Sequence, residues 1–180
     1  MTPAIHKADD LVDFVRHIGE IDDIFFVSSA KQDFSDSQEK ESFRERWLGR
    51  YIANHGGNFF VALDASGRVV GYLAGCLENP TELAHFADIE YFQTLADICR
   101  DYPAHLHVNV APEWRNRGLG AALIERFALW ARLQSAAGIH LVTSSTARNI
   151  PFYRRAGFRE LRTFPWNSGI SVCMGRKLSG

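Results

Sequence analysis

The sequence predicts a mixed α/β domain, in which antiparallel hairpins precede a parallel crossover pair and helices cover the faces of the sheet. Three observations carry this reading. Residues 58–63 and 68–74 are strand runs on either side of Asp64-Ala65-Ser66-Gly67, which has the chemistry of a hairpin turn. Residues 105–110 read as a strand, 118–136 as a helix and 139–143 as a strand, the order of a crossover unit. The chain of 180 residues, 46% hydrophobic and 23% charged, suits one globular domain spanning 1–180.

Taken in order, residues 9–19 place Leu11, Phe14, Val15 and Ile18 at helical spacing behind Asp9 and Asp10 as caps. Residues 35–54 repeat the pattern, with Ser35 or Ser37 as the cap and Phe43, Trp47, Leu48 and Tyr51 as a packing stripe. After the hairpin, residues 78–103 are acidic and irregular, bracketed by Pro80 and Pro103. Leu83, Phe86, Tyr91, Leu95 and Ile98 anchor this partly helical stretch. In the 118–136 helix, Leu119, Leu123, Phe127 and Trp130 share one face. A short helix near 150–156 and strands at 158–163 and 170–174 close the chain, and an exposed edge near 164–176 offers a surface for a homodimer.

Composition excludes several classes of function. A formal net charge of -1 gives no global attraction to nucleic acid or to an anionic membrane. The start of the chain lacks the apolar core of a secretory signal, and no apolar run approaches membrane-spanning length, so a cytoplasmic location is expected. Cys76, Cys99 and Cys173 lack the paired spacing of a disulfide framework or zinc cluster, so they read as buried thiols and no metal is expected.

The chemistry concentrates where the 105–110 strand meets the following helix, at Arg115-Asn116-Arg117-Gly118-Leu119-Gly120. Paired glycines let a backbone approach a ligand closely. The first amides of a helix have no partner inside it and converge with the helix dipole on an anion. Arg115 and Arg117 add charge-assisted donors, and a pyrophosphate is the natural guest. The segment is not a P-loop, because it lacks the Gly-Lys-Ser/Thr ending, and Leu123 stands where a dinucleotide turn has its third glycine. Upstream, His105, His107 and Asn109 alternate onto one strand face. Histidine titrates near neutrality and can take a proton.

About thirty residues downstream of the glycine turn stands Thr146-Ala147-Arg148-Asn149-Ile150-Pro151-Phe152-Tyr153-Arg154-Arg155-Ala156-Gly157-Phe158. The two motifs together resemble the GNAT superfamily of acyl-CoA-dependent N-acetyltransferases. The resemblance implies a mostly antiparallel central sheet with a splayed parallel pair, and acetyl-CoA as cosubstrate for an amine acceptor. It assigns the pantetheine to main-chain groups of Val108, Asn109 and Val110. It assigns the pyrophosphate to the amides of Arg117, Gly118, Leu119, Gly120 and Ala121, beside Asn116 and the Arg115 side chain. It sets Phe152 and Asn149 by the pantetheine and gives Tyr153 the task of protonating the departing sulfur. Thr146 departs from the Asn that is frequent in the family at this point, and Asn149 from a small residue. Arg148, Arg154 and Arg155 suit either the ribose 3′-phosphate or a solvated helix face.

The strand Ala104-His105-Leu106-His107-Val108 is similar to the His-x-His strand of serotonin N-acetyltransferase, one residue out of step with the glycine turn, which implies His107 or His105 as the base. Tyr102-Pro103-Ala104-His105-Leu106-His107 also resembles the acetyltransferase-like domain found with O-GlcNAcase and its bacterial relatives. An acetyl-CoA-binding module without turnover is therefore the alternative to an enzyme. The acceptor is expected against the N-terminal helices and the 78–103 stretch, where Asp88, Glu90, Asp97 and Asp101 would attract a cationic amine.

Overall fold

A computed structural model describes residues 2–178. The elements in chain order are β1 (Ala4–Lys7), α1 (Ile18–Ser28), α2 (Ser37–Arg44), α3 (Arg50–Asn54), β2 (Phe59–Leu63), β3 (Val69–Cys76), α4 (Tyr91–Thr94) and α5 (Ala96–Asp101). They continue with β4 (Ala104–Val110), α6 (Leu119–Leu133), β5 (Gly138–Ser144), α7 (Ile150–Arg155), β6 (Arg159–Trp166) and β7 (Gly169–Lys177). The seven strands are mostly antiparallel, with one parallel pair, and helices flank them. The mixed α/β reading is borne out.

The chain forms two compact units, both of which contain part of β4 and of α6. The first comprises residues up to Gly75 together with His107–Phe127. Its strands follow the order β1-β2-β3-β4, with β1 antiparallel to β2 and β2 to β3. β3 is buried along its whole length, and α6 lies close over it. A Cβ built on Gly75 would stand 2.3 Å from the Phe127 ring, which is itself fully buried. Only a residue without a side chain fits there. Gly75→Ala is expected to destabilise the protein by about 1–3 kcal/mol through overpacking, read as a lower denaturation midpoint.

Local chemistry explains the helices of this unit and where they depart from expectation. The stripe expected over 9–19 is displaced: Ala8–Asp10 and Phe14–His17 are 3-10 turns, Val12 and Val15 are exposed, and α1 begins at Ile18. Ile21, Ile24 and Phe25 carry its buried face. Glu20 ties this helix to the sheet by accepting from Val69 N at 2.9 Å. The cap of α2 is Asp36, which accepts from Glu39 N at 2.8 Å, where Ser35 or Ser37 was expected. Glu39 in turn accepts from Ser35 N at 2.6 Å, a reciprocal arrangement of the capping-box kind. Between α2 and α3 the helix widens into a π turn at Glu45–Gly49, so the single helix expected over 35–54 is three joined pieces.

The second unit comprises Cys76–Leu106 and the chain from Ala128 onward. Its strand order is β4-β5-β7-β6. The parallel register covers Ala104↔Ile139 and His105↔His140, whereas β5 pairs with β7 from Gly138↔Lys177 to Ser144↔Ser171. The edge strand is β6, while β7 lies between β5 and β6, so the expected 164–176 edge reduces to the β6 side. Arg159, Glu160 and Arg162 are exposed on it, the charged dressing that discourages edge-to-edge pairing. Cys76, Cys99 and Cys173 are all buried and free, as their surroundings predict.

Candidate functional site

In the first unit, β4 delivers His107 and Asn109 at alternate positions on the same face. Nε2 of His107 lies 3.1 Å from Tyr51 Oη, and the Tyr51 ring meets the imidazole edge-on at 5.3 Å. Trp47, one helical turn before Tyr51, meets the same imidazole at 6.0 Å. Asn109 Nδ2 donates to Tyr72 Oη at 2.8 Å, and Tyr72 stacks on Phe59 with centroids 5.5 Å apart. Both side chains of the β4 face are thus held by phenols from neighbouring elements. Tyr72 is fully buried, and burial pushes its hydroxyl far above its ordinary range, so it stays protonated.

The strand then turns into α6. Ala111 N donates to Val70 O at 3.0 Å, pinning the end of β4 to β3. Pro112–Trp114 form one 3-10 turn. Asn116 (φ 60°) and Gly118 (φ 81°) both take the left-handed conformation, on either side of Arg117. Glycine adopts that conformation without strain, and asparagine tolerates it. Residues of alternating hand make neighbouring amides converge on one point, an anion-binding concavity. The bond from Ala122 N to Gly118 O, 3.0 Å, spans the opening of the helix. The amides of Leu119, Gly120 and Ala121 stand before it, at the positive end of a 15-residue helix.

The two arginines take different places. Arg115 Nε donates to Val110 O at 3.0 Å and its Nη2 to Ser28 Oγ at 3.0 Å, so its guanidinium braces the turn against the end of α1. Arg117 lies over the Trp114 ring at 5.4 Å on the exposed side of the turn.

The second unit holds the remaining expected residues. His105 is 3% exposed, packed between Phe86 at 4.9 Å and Phe92 at 5.1 Å, with the His140 ring at 5.5 Å. That environment is core, whereas His107 is half-buried. His140 Nδ1 meets the Tyr102 carbonyl oxygen at 2.6 Å, so it carries the proton and donates it. Its Nε2 then accepts, with Cys99 Sγ at 3.8 Å as donor. Burial lowers the His140 pKa to about 4 and raises that of Cys99 to about 12.

Tyr153 sits on α7, 7% exposed, against Phe152 at 5.1 Å and Phe158 at 6.0 Å. Burial pushes its hydroxyl up to about 12, so it stays protonated at neutral pH. Asn149 begins α7 and accepts from Thr143 Oγ1 at 3.2 Å, without capping the helix through its side chain. Of the acidic residues expected to draw a cationic amine, Asp97 is engaged by Arg162 through two bonds of 2.9 and 2.6 Å, and Asp101 lies 3.6 Å from Arg100. Arg154 pairs with Glu160 on the exposed side of α7, which favours the solvated-face reading for that residue.

Trp47 and Tyr51 belong to the packing stripe of residues 35–54, and nothing local in the sequence gives them a role beside His107. Their four-residue spacing was the available signal. A separation of 56 positions along the chain hides the contact itself.

Residues 55–160 match the family model of the acetyltransferase (GNAT) domain. Solved structures similar to the whole chain include SsHAT, at 23% identity over 100% of both chains with a TM-score of 0.76. PH1933 from Pyrococcus horikoshii OT3 is 17% identical over 97% of this chain and 98% of its own, with a TM-score of 0.69. A GNAT superfamily phosphinothricin acetyltransferase from Sinorhizobium meliloti, solved in complex with AcCoA, is 18% identical over 98% of this chain and 89% of its own, with a TM-score of 0.66. At these identities the likeness is one of fold. No helix among the described residues is long and apolar enough to cross a membrane.

Proposed function

The chain belongs to the GNAT acetyltransferase family, and from that premise we propose that it is an enzyme moving the acetyl group of acetyl-CoA onto an amine of a small molecule or protein by direct attack. The observation that carries the proposal is the pair of left-handed residues, Asn116 and Gly118, which alternate with Arg115 and Arg117 just before α6. Such a turn favours a doubly charged pyrophosphate over a neutral ligand.

The proposed roles follow from the order of bond changes. The amine nitrogen attacks the thioester carbonyl carbon, and the carbonyl oxygen takes up negative charge. The backbone N–H of Val108 is the proposed donor to that oxyanion. Main-chain groups of Asn109 and Val110 are the proposed partners of the pantetheine, a role the family resemblance extends to Phe152 and Asn149, and the amides of Arg117 to Ala121 are the proposed partners of the pyrophosphate. His107 takes the proton that the nitrogen must lose. The C–S bond breaks as the intermediate collapses, and Tyr153 gives its proton to the departing thiolate. His105, enclosed by aromatic rings, has a packing role. The proposed acceptor site is on the side of Trp47 and Tyr51, next to His107.

The test is release of free thiol from acetyl-CoA across a panel of amines and peptides. Tyr153→Phe is expected to lower kcat by about 10²-fold while acetyl-CoA affinity stays within a factor of two, because the hydroxyl acts on the leaving group rather than in binding. Equal kcat for the two proteins would remove Tyr153 from the mechanism. Acetyl-CoA binding without thiol release from any acceptor would leave a binding module.

A further inference from the structure

A histidine accepts a proton only through a ring nitrogen that holds a lone pair, and neutral imidazole has one such nitrogen. In His107 one of the two nitrogens is committed: Nε2 lies 3.1 Å from Tyr51 Oη. The phenol is fully buried and fixed by α3, with the two rings at 82°. Trp47, on the π turn just before, meets the same imidazole at 77°, so both helix side chains restrict its rotation.

The hydrogen bond has two possible directions. If the phenol donates, the Nε2 lone pair is consumed, Nδ1 carries the ring proton, and neither nitrogen is basic toward an amine. If Nε2–H donates to the phenol oxygen, Nδ1 holds the lone pair.

We infer that Tyr51 is a positioning residue for acetyl transfer: its oxygen accepts from Nε2–H of His107, holding the ring in the tautomer whose Nδ1 takes the amine proton. The inference rests on the reading of His107 as the base. During the reaction the N–H bond of the attacking nitrogen breaks and an Nδ1–H bond forms, giving an imidazolium. That cation keeps its Nε2–H bond to Tyr51, now with a charged donor and therefore stronger. The phenol loses no proton at any step.

The direct test is the long-range ¹H–¹⁵N correlation spectrum of the imidazoles in the full-length protein, with the His107 signals assigned by their loss in His107→Gln. The Nε2–H tautomer of neutral His107 is expected to dominate. In Tyr51→Phe the Nδ1–H fraction is expected to rise, and kcat to fall about tenfold with KM for acetyl-CoA unchanged, the loss of one hydrogen bond. A dominant Nδ1–H tautomer in the wild type overturns the inference, and that measurement does not depend on the variant folding. So does a Tyr51→Phe protein with wild-type kcat and tautomer ratio. If either occurs while His107→Gln is inactive, the base survives and only the role of Tyr51 falls. A fully active His107→Gln removes both.

Discussion

Replacing His107 by glutamine is expected to lower kcat/KM for acetyl transfer by about 10²–10⁴-fold, the usual contribution of a positioned general base, which is the role proposed for it. Glutamine matches the imidazole in polarity and can still meet Tyr51 Oη, so the half-buried end of β4 stays filled. What disappears is the group able to take a proton. An unchanged denaturation midpoint distinguishes this from misfolding. Acetyl-CoA affinity is expected to be retained, since the proposed pyrophosphate turn is a separate segment, at 115–121. His105→Gln, by contrast, disturbs a site packed by Phe86 and Phe92, and its effect falls on stability. Steady-state kinetics and denaturant unfolding of both variants check the assignment. A His107→Gln enzyme with wild-type kcat/KM would move the base elsewhere.

The second large effect concerns folding. His140 is completely buried, and burial holds its pKa at about 4, below the ordinary 6.5. Its folded-state pKa is therefore depressed, and the native protein keeps this ring neutral through the range where an unfolded chain protonates it. Unfolding takes up a proton between those values. The stability conferred is fully present above pH 6.5, is lost as pH falls toward about 4, and levels off below. The full loss is about 3 kcal/mol, of which about 2 kcal/mol has gone by pH 5. His140→Asn keeps an N–H that can reach the Tyr102 carbonyl but does not titrate. Denaturant unfolding of both proteins at pH 7.5 and pH 5 is expected to show the wild type losing about 2 kcal/mol more than the variant. Parallel losses would mean that His140 is already protonated in the folded state.

The strand, turn and helix from His105 onward were legible because their signals are local. Two glycines and two arginines sit within six residues, directly after an alternating strand. The hairpin around Asp64–Gly67 was legible for the same reason, and Asp64 does organise it by accepting from Ser66 N and Arg68 N. The N-terminal region was read less well. The stripe through Leu11, Phe14 and Ile18 continues in phase into Ile21 and Phe25, so spacing alone could not say that the helix starts at Ile18. β1 has four residues, too few for an alternation to stand out. No residue type marks a π turn, and the Glu45–Gly49 widening depends on what packs against it. The His105 and His107 positions look equivalent in sequence. Their difference lies in what distant elements bring to them: Phe86 and Phe92 in one case, Tyr51 in the other.

The most direct test of the acetyl-CoA turn is calorimetric titration of wild type and Ala121→Glu with acetyl-CoA. A glutamate in the first turn of α6 suits the helix dipole, so the fold is retained, but its carboxylate competes for the place of the pyrophosphate. The wild type is expected to bind one acetyl-CoA per chain, and the variant to bind at least about 10²-fold more weakly at an unchanged melting temperature, a differential near 3 kcal/mol. Absence of acetyl-CoA binding by the wild type, or equal affinity in the two proteins, would contradict the assignment of the Arg115–Ala121 turn.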